Sequence, residues 1–379
     1  KTLRTIDQSK GARRIILFIS QGFVDNETVD AETLVNTIGY LLDLSDEIKK
    51  EDEKREQQKN DERVAYGKKY EEDFFIEKPK RSAEENDGTN EITKKLGNNY
   101  LPSLMAVSLL NVFFERDLFD VNDKAQVDLL ETLLKRLWDF IKRAKDTETL
   151  IISLSILEHY ITLPSFVKFL PDVLSFLTDT LRTLKNASDS FGQAVFKLLT
   201  EILTNFDKIE LPTQFTRALV IFCGGQLDVH DSCDAVFDVL KLVMTRRKDI
   251  PEIYDQAQPA LEIVIRALSP KVRKRAALFV SQFMSTYKMS EDRFRKLLKF
   301  ALANLSSPKA TGRRSLVTFL SHLIDECPME EILDKYTELI LVYLGARIAN
   351  ETDERIIPKL RKVIGKKLFL KVSPSRFYS

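Results

Sequence analysis

Cysteine is scarce: the 379 residues hold three, Cys223, Cys233 and Cys327. That excludes a disulfide framework and makes a reducing compartment, cytosol or nucleus, the default. No apolar run approaches the roughly 18 residues that a spanning helix needs, so no membrane partner is expected. The first residues do not read as a secretory leader. Histidine is equally rare, with His159, His230 and His322 far apart along the chain. Hydrolysis by a Ser/His/Asp arrangement therefore lacks its usual base. Neither a Gly-x-Gly-x-x-Gly nor a Walker loop occurs, so nucleotide binding through such loops is unsupported. Carboxylates abound, but solvated helix faces explain them. The expectation is a protein that is not an enzyme and needs no cofactor.

Glycine and proline are also low, at 12 each, and there is one Trp, Trp138, against 24 Phe. What the chain has in quantity is helix-forming sequence with 44% hydrophobic residues, enough for a continuous core. Paired helices recur about every 40 residues, and the second of each pair opens alike. Its starts read Asp146-Thr-Glu-Thr-Leu, Ser188-Asp-Ser-Phe-Gly-Gln, His230-Asp-Ser-Cys-Asp-Ala, Ser269-Pro-Lys-Val-Arg-Lys-Arg and Ser307-Pro-Lys-Ala-Thr-Gly-Arg-Arg-Ser. Each has a polar start, a small or basic residue one turn in, then an apolar stripe. Such a unit cannot bury its apolar face alone, so units stack. The fold class is all-α, a HEAT/armadillo-like α-solenoid of stacked helical hairpins, about seven pairs by this template. A solenoid is a surface for holding partners.

Three regions follow. Residues 1–45 hold N-terminal helices of the solenoid, at 11–24 and 30–45. Residues 46–97 are a charged insert, expected to be partly disordered and open to protease around 82–97. Its first half mixes both signs with almost no apolar residues, and its one apolar anchor is Phe74-Phe75-Ile76. Residues 98–379 carry the repeats, with helices near 99–115, 123–144, 146–162, 165–184, 188–206, 212–223, 230–247, 251–268, 270–287, 290–305, 308–326, 329–345 and 352–370. Pro164, Pro212, Pro251, Pro270, Pro308 and Pro328 punctuate them, as proline suits a first helical turn. Leu198, Leu199 and Ile202 are expected between stacked repeats. The chain begins at Lys1 and reads as a piece of something longer, whose remainder is itself an expected partner.

The net charge of +1 hides an asymmetry. Residues 269–379 carry 22 Lys and Arg against 11 Asp and Glu, net +11; the preceding residues carry 36 against 46, net −10. Basic clusters sit at helix starts. Lys271, Arg273, Lys274 and Arg275 open one, Arg313 and Arg314 the next, and Lys359, Arg361, Lys362, Lys366 and Lys367 fill the last. Equivalent positions in a solenoid line up on one edge, which suits phosphate neutralisation. Few aromatics interleave them, so base stacking is not indicated. The competing reading pairs them with acids of the preceding repeat, and Arg273 and Arg314 are assigned to it. Lys271, Lys274, Arg275, Arg313 and the tail cations remain candidate RNA or partner contacts. Lys78-Pro-Lys-Arg81 is a candidate nuclear-import signal through Lys78, Lys80 and Arg81.

Cys223, His230 and Cys233 lie close enough to suggest a metal site. Zinc usually needs four ligands, and no Cys-x-x-Cys pair is present, so buried small hydrophobes beside a cap His are the better reading. Gly224-Gly225-Gln226 reads as the glycine-rich end of an amphipathic helix.

Asp249-Ile-Pro-Glu-Ile-Tyr-Asp, then Ser269-Pro-Lys-Val-Arg-Lys-Arg, then the Thr-Gly-Arg-Arg-Ser turn at 311–315 occur in an order that resembles the C-terminal region of the DRIM (down-regulated in metastasis) family. Phe75-Ile-Glu-Lys-Pro-Lys-Arg before a helix and Phe119-Asp120-Val121 after one are similar too. The resemblance spans roughly 70–345. It departs at Arg314, where a glutamate is common, and at the Cys223-Gly-Gly-Gln stretch. It implies a very large HEAT-repeat protein of the nucleolus, associated with the U-three small nucleolar RNA and the small-subunit processome. Its implied partners are pre-ribosomal RNA or the U-three particle and other processome proteins. Two other readings of a bare solenoid stay open: a nuclear-transport or other protein-binding adaptor, and a helical regulatory region of a large kinase-like enzyme.

Overall fold

The computed structural model describes residues 101–115, 123–144, 146–246, 250–326 and 334–368, with backbone alone at 101, 102, 334 and 366–368, and part of 33–61. The expected helix at 11–24, most of the insert and the import signal Lys78, Lys80 and Arg81 lie outside the described residues. Those residues between 47 and 61 that are described are helical and exposed. No strand occurs among the described residues. The fold is an all-α solenoid of stacked helical hairpins.

The chain divides into two compact units, 1–166 and 167–379. In the first lie α1 (Leu101–Glu115), α2 (Lys124–Arg143) and α3 (Thr147–Tyr160). The α2 sequence places Leu130, Leu133, Leu134, Leu137, Trp138 and Ile141 on one face, the 3.6-residue period of a half-buried helix, and all six are buried. Asp123 caps it by accepting from the Ala125 N–H at 2.9 Å. Helices α1 and α3 lie side by side. Phe114 stacks on His159 at 5.2 Å and meets Tyr160 edge-on at 5.0 Å.

In the second unit follow α4 (Phe166–Thr183), α5 (Ser190–Asn205), α6 (Thr213–Gly225), α7 (Cys233–Thr245), α8 (Pro251–Asp255), α9 (Ala257–Arg266), α10 (Pro270–Thr286), α11 (Glu291–Ala303), α12 (Ala310–Glu326), α13 (Asp334–Asn350) and α14 (Ile357–Lys362). One layer stacks α5 on α7, α7 on α10 and α10 on α12. The other sets α6 against α8, α9 against α11 and α11 against α13. Leu198, Leu199 and Ile202 of α5 are fully buried, as their spacing predicts. Backbone approaches backbone at two glycines, one where repeats meet and one within a hairpin turn. A Cβ added at Gly312 would lie 2.5 Å from the Ile265 carbonyl oxygen, and one at Gly192 would clash with the Asn186 carbonyl. Only glycine fits either place without displacing main chain.

Three helix limits differ from expectation. The helix expected over 251–268 is two, broken at Gln256. Pro259 cannot donate to the Asp255 carbonyl, so the ladder stops one turn earlier. The helix expected at 329–345 runs to Asn350, and the one at 352–370 begins at Ile357. Glu351 and Asp353 explain both. Their carboxylates accept from the N–H groups of Thr352, Asp353 and Arg355, which turns the chain there instead of continuing a helix.

Candidate nucleic-acid interface

The basic starts of α10 and α12 share one geometry. Arg273 and Arg313 are each the fourth residue of their helix. Arg273 turns back and donates to the carbonyls of Ala267 and Leu268 at 2.6 and 2.8 Å. Arg313 does the same to Ser307 and Pro308 at 2.8 and 2.9 Å. Each also reaches forward, Arg273 to the Ser315 hydroxyl and Arg313 to Glu351. Both are buried. Burial pushes the Arg273 guanidinium pKa down, and nearby Arg314 pushes the same way. These side chains bond the turn carbonyls that join the two helices of each hairpin.

Glu351 is the centre of a charged knot with a fully buried side chain. Arg313 grips it with two bonds, at 3.0 and 2.7 Å. Arg347 adds a third at 2.9 Å, and two backbone N–H groups complete it. Burial alone would raise this carboxyl's pKa. The bonds from Arg313 and Arg347 outweigh it and hold the group down to about 2. Beside it, Arg314 pairs with Asp353 at 3.2 Å, and Arg355 grips the same carboxylate at 2.9 Å. Arg355's hydrogen bond is the main reason the Asp353 pKa is depressed. The acids that meet Arg313 and Arg314 thus come from the turn after α13 and not from the preceding repeat.

On α10, Lys271 and Arg275 turn toward the preceding repeat. Both contact Asp234, at 2.5 and 2.7 Å, and Arg275 also reaches Asp238 at 3.2 Å. The bond to Asp234 raises the Lys271 pKa, and the bond from Lys271 lowers that of Asp234. Three of the sequence-selected cations, Lys271, Arg275 and Arg313, are therefore engaged within the fold. Lys274, Lys359, Arg361 and Lys362 are exposed and join no ion pair among the described residues. The backbone of Lys366 and Lys367 continues the last helical turns.

Arg246 escaped sequence reading. It donates to the carbonyls of Leu203, Phe206 and Ile209, closing the end of α5. Only its position just after an apolar helix hinted at this. The aromatic residue of the Pro-Glu-Ile-Tyr-Asp segment was also unread. Tyr254 donates to the Lys288 carbonyl at 2.8 Å and packs edge-on against Phe283 at 5.6 Å. Arg293 sits over its ring at 4.7 Å. Cys223 and Cys233 are buried thiols whose pKa burial raises, and His230 faces solvent. No group of three His, Cys, Asp or Glu able to hold a metal occurs among the described residues. Gln226, after the paired glycines, is buried and bonds the Ala187 N–H and the Lys185 carbonyl of the preceding turn. No described helix is long and apolar enough to cross a membrane.

Fold and surface define a helical-repeat protein: stacked hairpins whose polar network is used for stacking, with cations left exposed along the C-terminal repeats. No family model matches the chain. Two proteins called U3 small nucleolar RNA-associated protein 20 are similar to parts of it. The one from Schizosaccharomyces pombe is 24% identical over 161 residues, 42% of this chain and 6% of the relative. The one from Saccharomyces cerevisiae is 31% identical over 88 residues, 23% of this chain and 4% of the relative. The matched stretches are a small fraction of each relative's length.

Proposed function

We propose that this chain is a non-catalytic scaffold section of a DRIM-type HEAT-repeat protein, acting in small-subunit ribosome biogenesis and pre-ribosomal RNA processing. The observation that carries the reading is the similarity to two proteins named for association with the U3 small nucleolar RNA. The all-α solenoid supports it, because such a fold offers long surface and few enclosed pockets. The proposed setting is the nucleolus, within the small-subunit processome. The proposed partners are the U3 particle or pre-ribosomal RNA, other processome proteins, and the rest of a longer chain. Lys274, Lys359, Arg361, Lys362, Lys366 and Lys367 are proposed phosphate contacts. Lys78, Lys80 and Arg81 are proposed to direct nuclear import.

Affinity purification of the tagged protein from nuclear extract, followed by RNA quantification, tests this. U3 small nucleolar RNA should be enriched well above spliceosomal RNAs of similar abundance. Equal recovery of both classes would overturn the reading.

A further inference from the structure

A row of cations that the opening clusters do not include stands on α11. Its sequence, Glu291-Asp-Arg-Phe-Arg-Lys-Leu-Leu-Lys-Phe, buries Phe294, Leu297, Leu298, Ala301 and Leu302 on one side. At about 100° per residue, that places Lys296 and Lys299 in the middle of the opposite side, with Arg293 and Arg295 at its edges. All four are exposed. The helix's acids are already taken. Glu291 faces Lys335 at 3.2 Å, and Asp292 faces Arg295 at 3.8 Å. Lys296 and Lys299 join no ion pair among the described residues. Arg293 is held at one end by the Tyr254 ring, whose hydroxyl also fixes the Lys288 carbonyl. Lys288 is exposed there as well.

The contrast with α10 and α12 is physical. The arginines of α10 and α12 are bonded within the fold, whereas α11 presents Lys296 and Lys299 without an ion-pair partner among the described residues. We propose that this outer face of α11, with Lys288, Arg293, Lys296 and Lys299, is a contact surface for the phosphate backbone of RNA. The proposal deepens the RNA-particle reading above and rests on it. Charge complementarity selects the occupant: a segment of net +11 draws a polyanion. Chemistry favours RNA over an acidic protein. Protein interfaces are built around apolar or aromatic cores depleted in lysine, and this face is rich in lysine with half-exposed Phe300 as its one large apolar side chain. A lysine row with one half-exposed aromatic, Phe300, contacts mainly phosphate and leaves bases largely unread, so binding is weakly sequence-dependent.

The test titrates the full chain with a labelled single-stranded RNA 20-mer across several salt concentrations. The variant is Lys296→Gln with Lys299→Gln. The control is Lys124→Gln with Lys135→Gln, which makes the same charge change on exposed lysines of α2. The proposal expects the α11 pair to weaken binding severalfold at low salt. It also expects the log–log salt slope to shallow by about 1.4, two single-strand contacts at roughly 0.7 each. The control should leave the slope unchanged. Equal effects of both pairs would show mere net charge and overturn the proposal. So would an unchanged α11 variant, and neutralising Lys359, Arg361 and Lys362 would then show whether the tail binds instead. Loss of poly-glutamate binding with RNA binding intact would reassign the face to an acidic protein. No RNA binding by the wild-type chain would also overturn it, while U3 co-purification would still report separately on the function.

Discussion

Replacing Glu351 by glutamine strikes the most connected charge in the C-terminal repeats. The amide keeps the shape but loses the negative charge, and its NH2 faces donors it cannot accept from. Arg313 and Arg347 are then left beside a neutral group in a site where the Glu351 side chain is fully buried. The carboxyl titrates at about 2 against an ordinary 4.5. At 1.36 kcal/mol per unit, that difference corresponds to roughly 3 kcal/mol of stabilisation by the charged form. Breaking a buried pair by removing one partner costs a similar amount, about 3–5 kcal/mol. The sign follows from a folded pKa below the unfolded one. The contribution is fully present above about pH 4.5 and disappears as pH falls toward 2. Repeat proteins open locally, so the readout is amide hydrogen exchange over 310–326 and 334–362 together with urea unfolding. At pH 7, E351Q should exchange faster there and unfold at lower urea. Between pH 4.5 and 2.5 the gap to wild type should narrow. Equal protection at pH 7, or a gap that ignores pH, would refute the reasoning.

Three further outcomes are expected. Leu199→Ala, at a fully buried site in α5, should lower stability by about 2–5 kcal/mol, and an unchanged urea midpoint would contradict the placement. Gly312→Ala sets a methyl against the Ile265 carbonyl and should destabilise by about 1–3 kcal/mol despite alanine's better helix propensity; a more stable variant would show that α9 and α12 can move apart at no cost. Asp234→Asn leaves Lys271 and Arg275 without their shared carboxylate but should cost only about 1 kcal/mol or less, because the group is well exposed; a loss of several kcal/mol in urea unfolding would contradict that.

The repeat layout was legible in the chain because it rests on local signals. Asp146, Asp189 and Ser269 cap their helices at the expected starts, through the N–H groups of Thr149, Gly192 and Val272. Pro251 and Pro270 begin theirs. The broken helix at Gln256 was legible in principle, since Pro259 carries the reason. The turn at 351–355 rests on local bonds to Glu351 and Asp353, but the hold of Arg313 on the Glu351 carboxylate was not legible, because Arg313 is distant in sequence. The same distance hid the fate of the basic clusters. Nothing near Lys271 says that Asp234 will face it, and nothing near Arg313 points to Glu351. Arg313 looked like part of an outward stripe because charge suggests solvent, and Arg273 like the partner of an acid in the preceding repeat. In the fold each is turned inward by carbonyls five and six residues back. The α11 cations were readable from the period of Phe294, Leu297, Leu298 and Ala301, but lysines on an amphipathic helix carry no mark of use until their acids are located.

The central claim, a helical surface that holds the RNA of a U3 particle through its basic C-terminal repeats, is tested most directly by ultraviolet crosslinking of the whole protein in cells, with RNA sequenced and crosslinked peptides mapped. The account predicts U3 small nucleolar RNA or pre-ribosomal RNA as the dominant species, with crosslinks falling in 288–303 and 357–367. Crosslinks confined to the acidic N-terminal part, or RNA drawn evenly from unrelated transcripts, would contradict it.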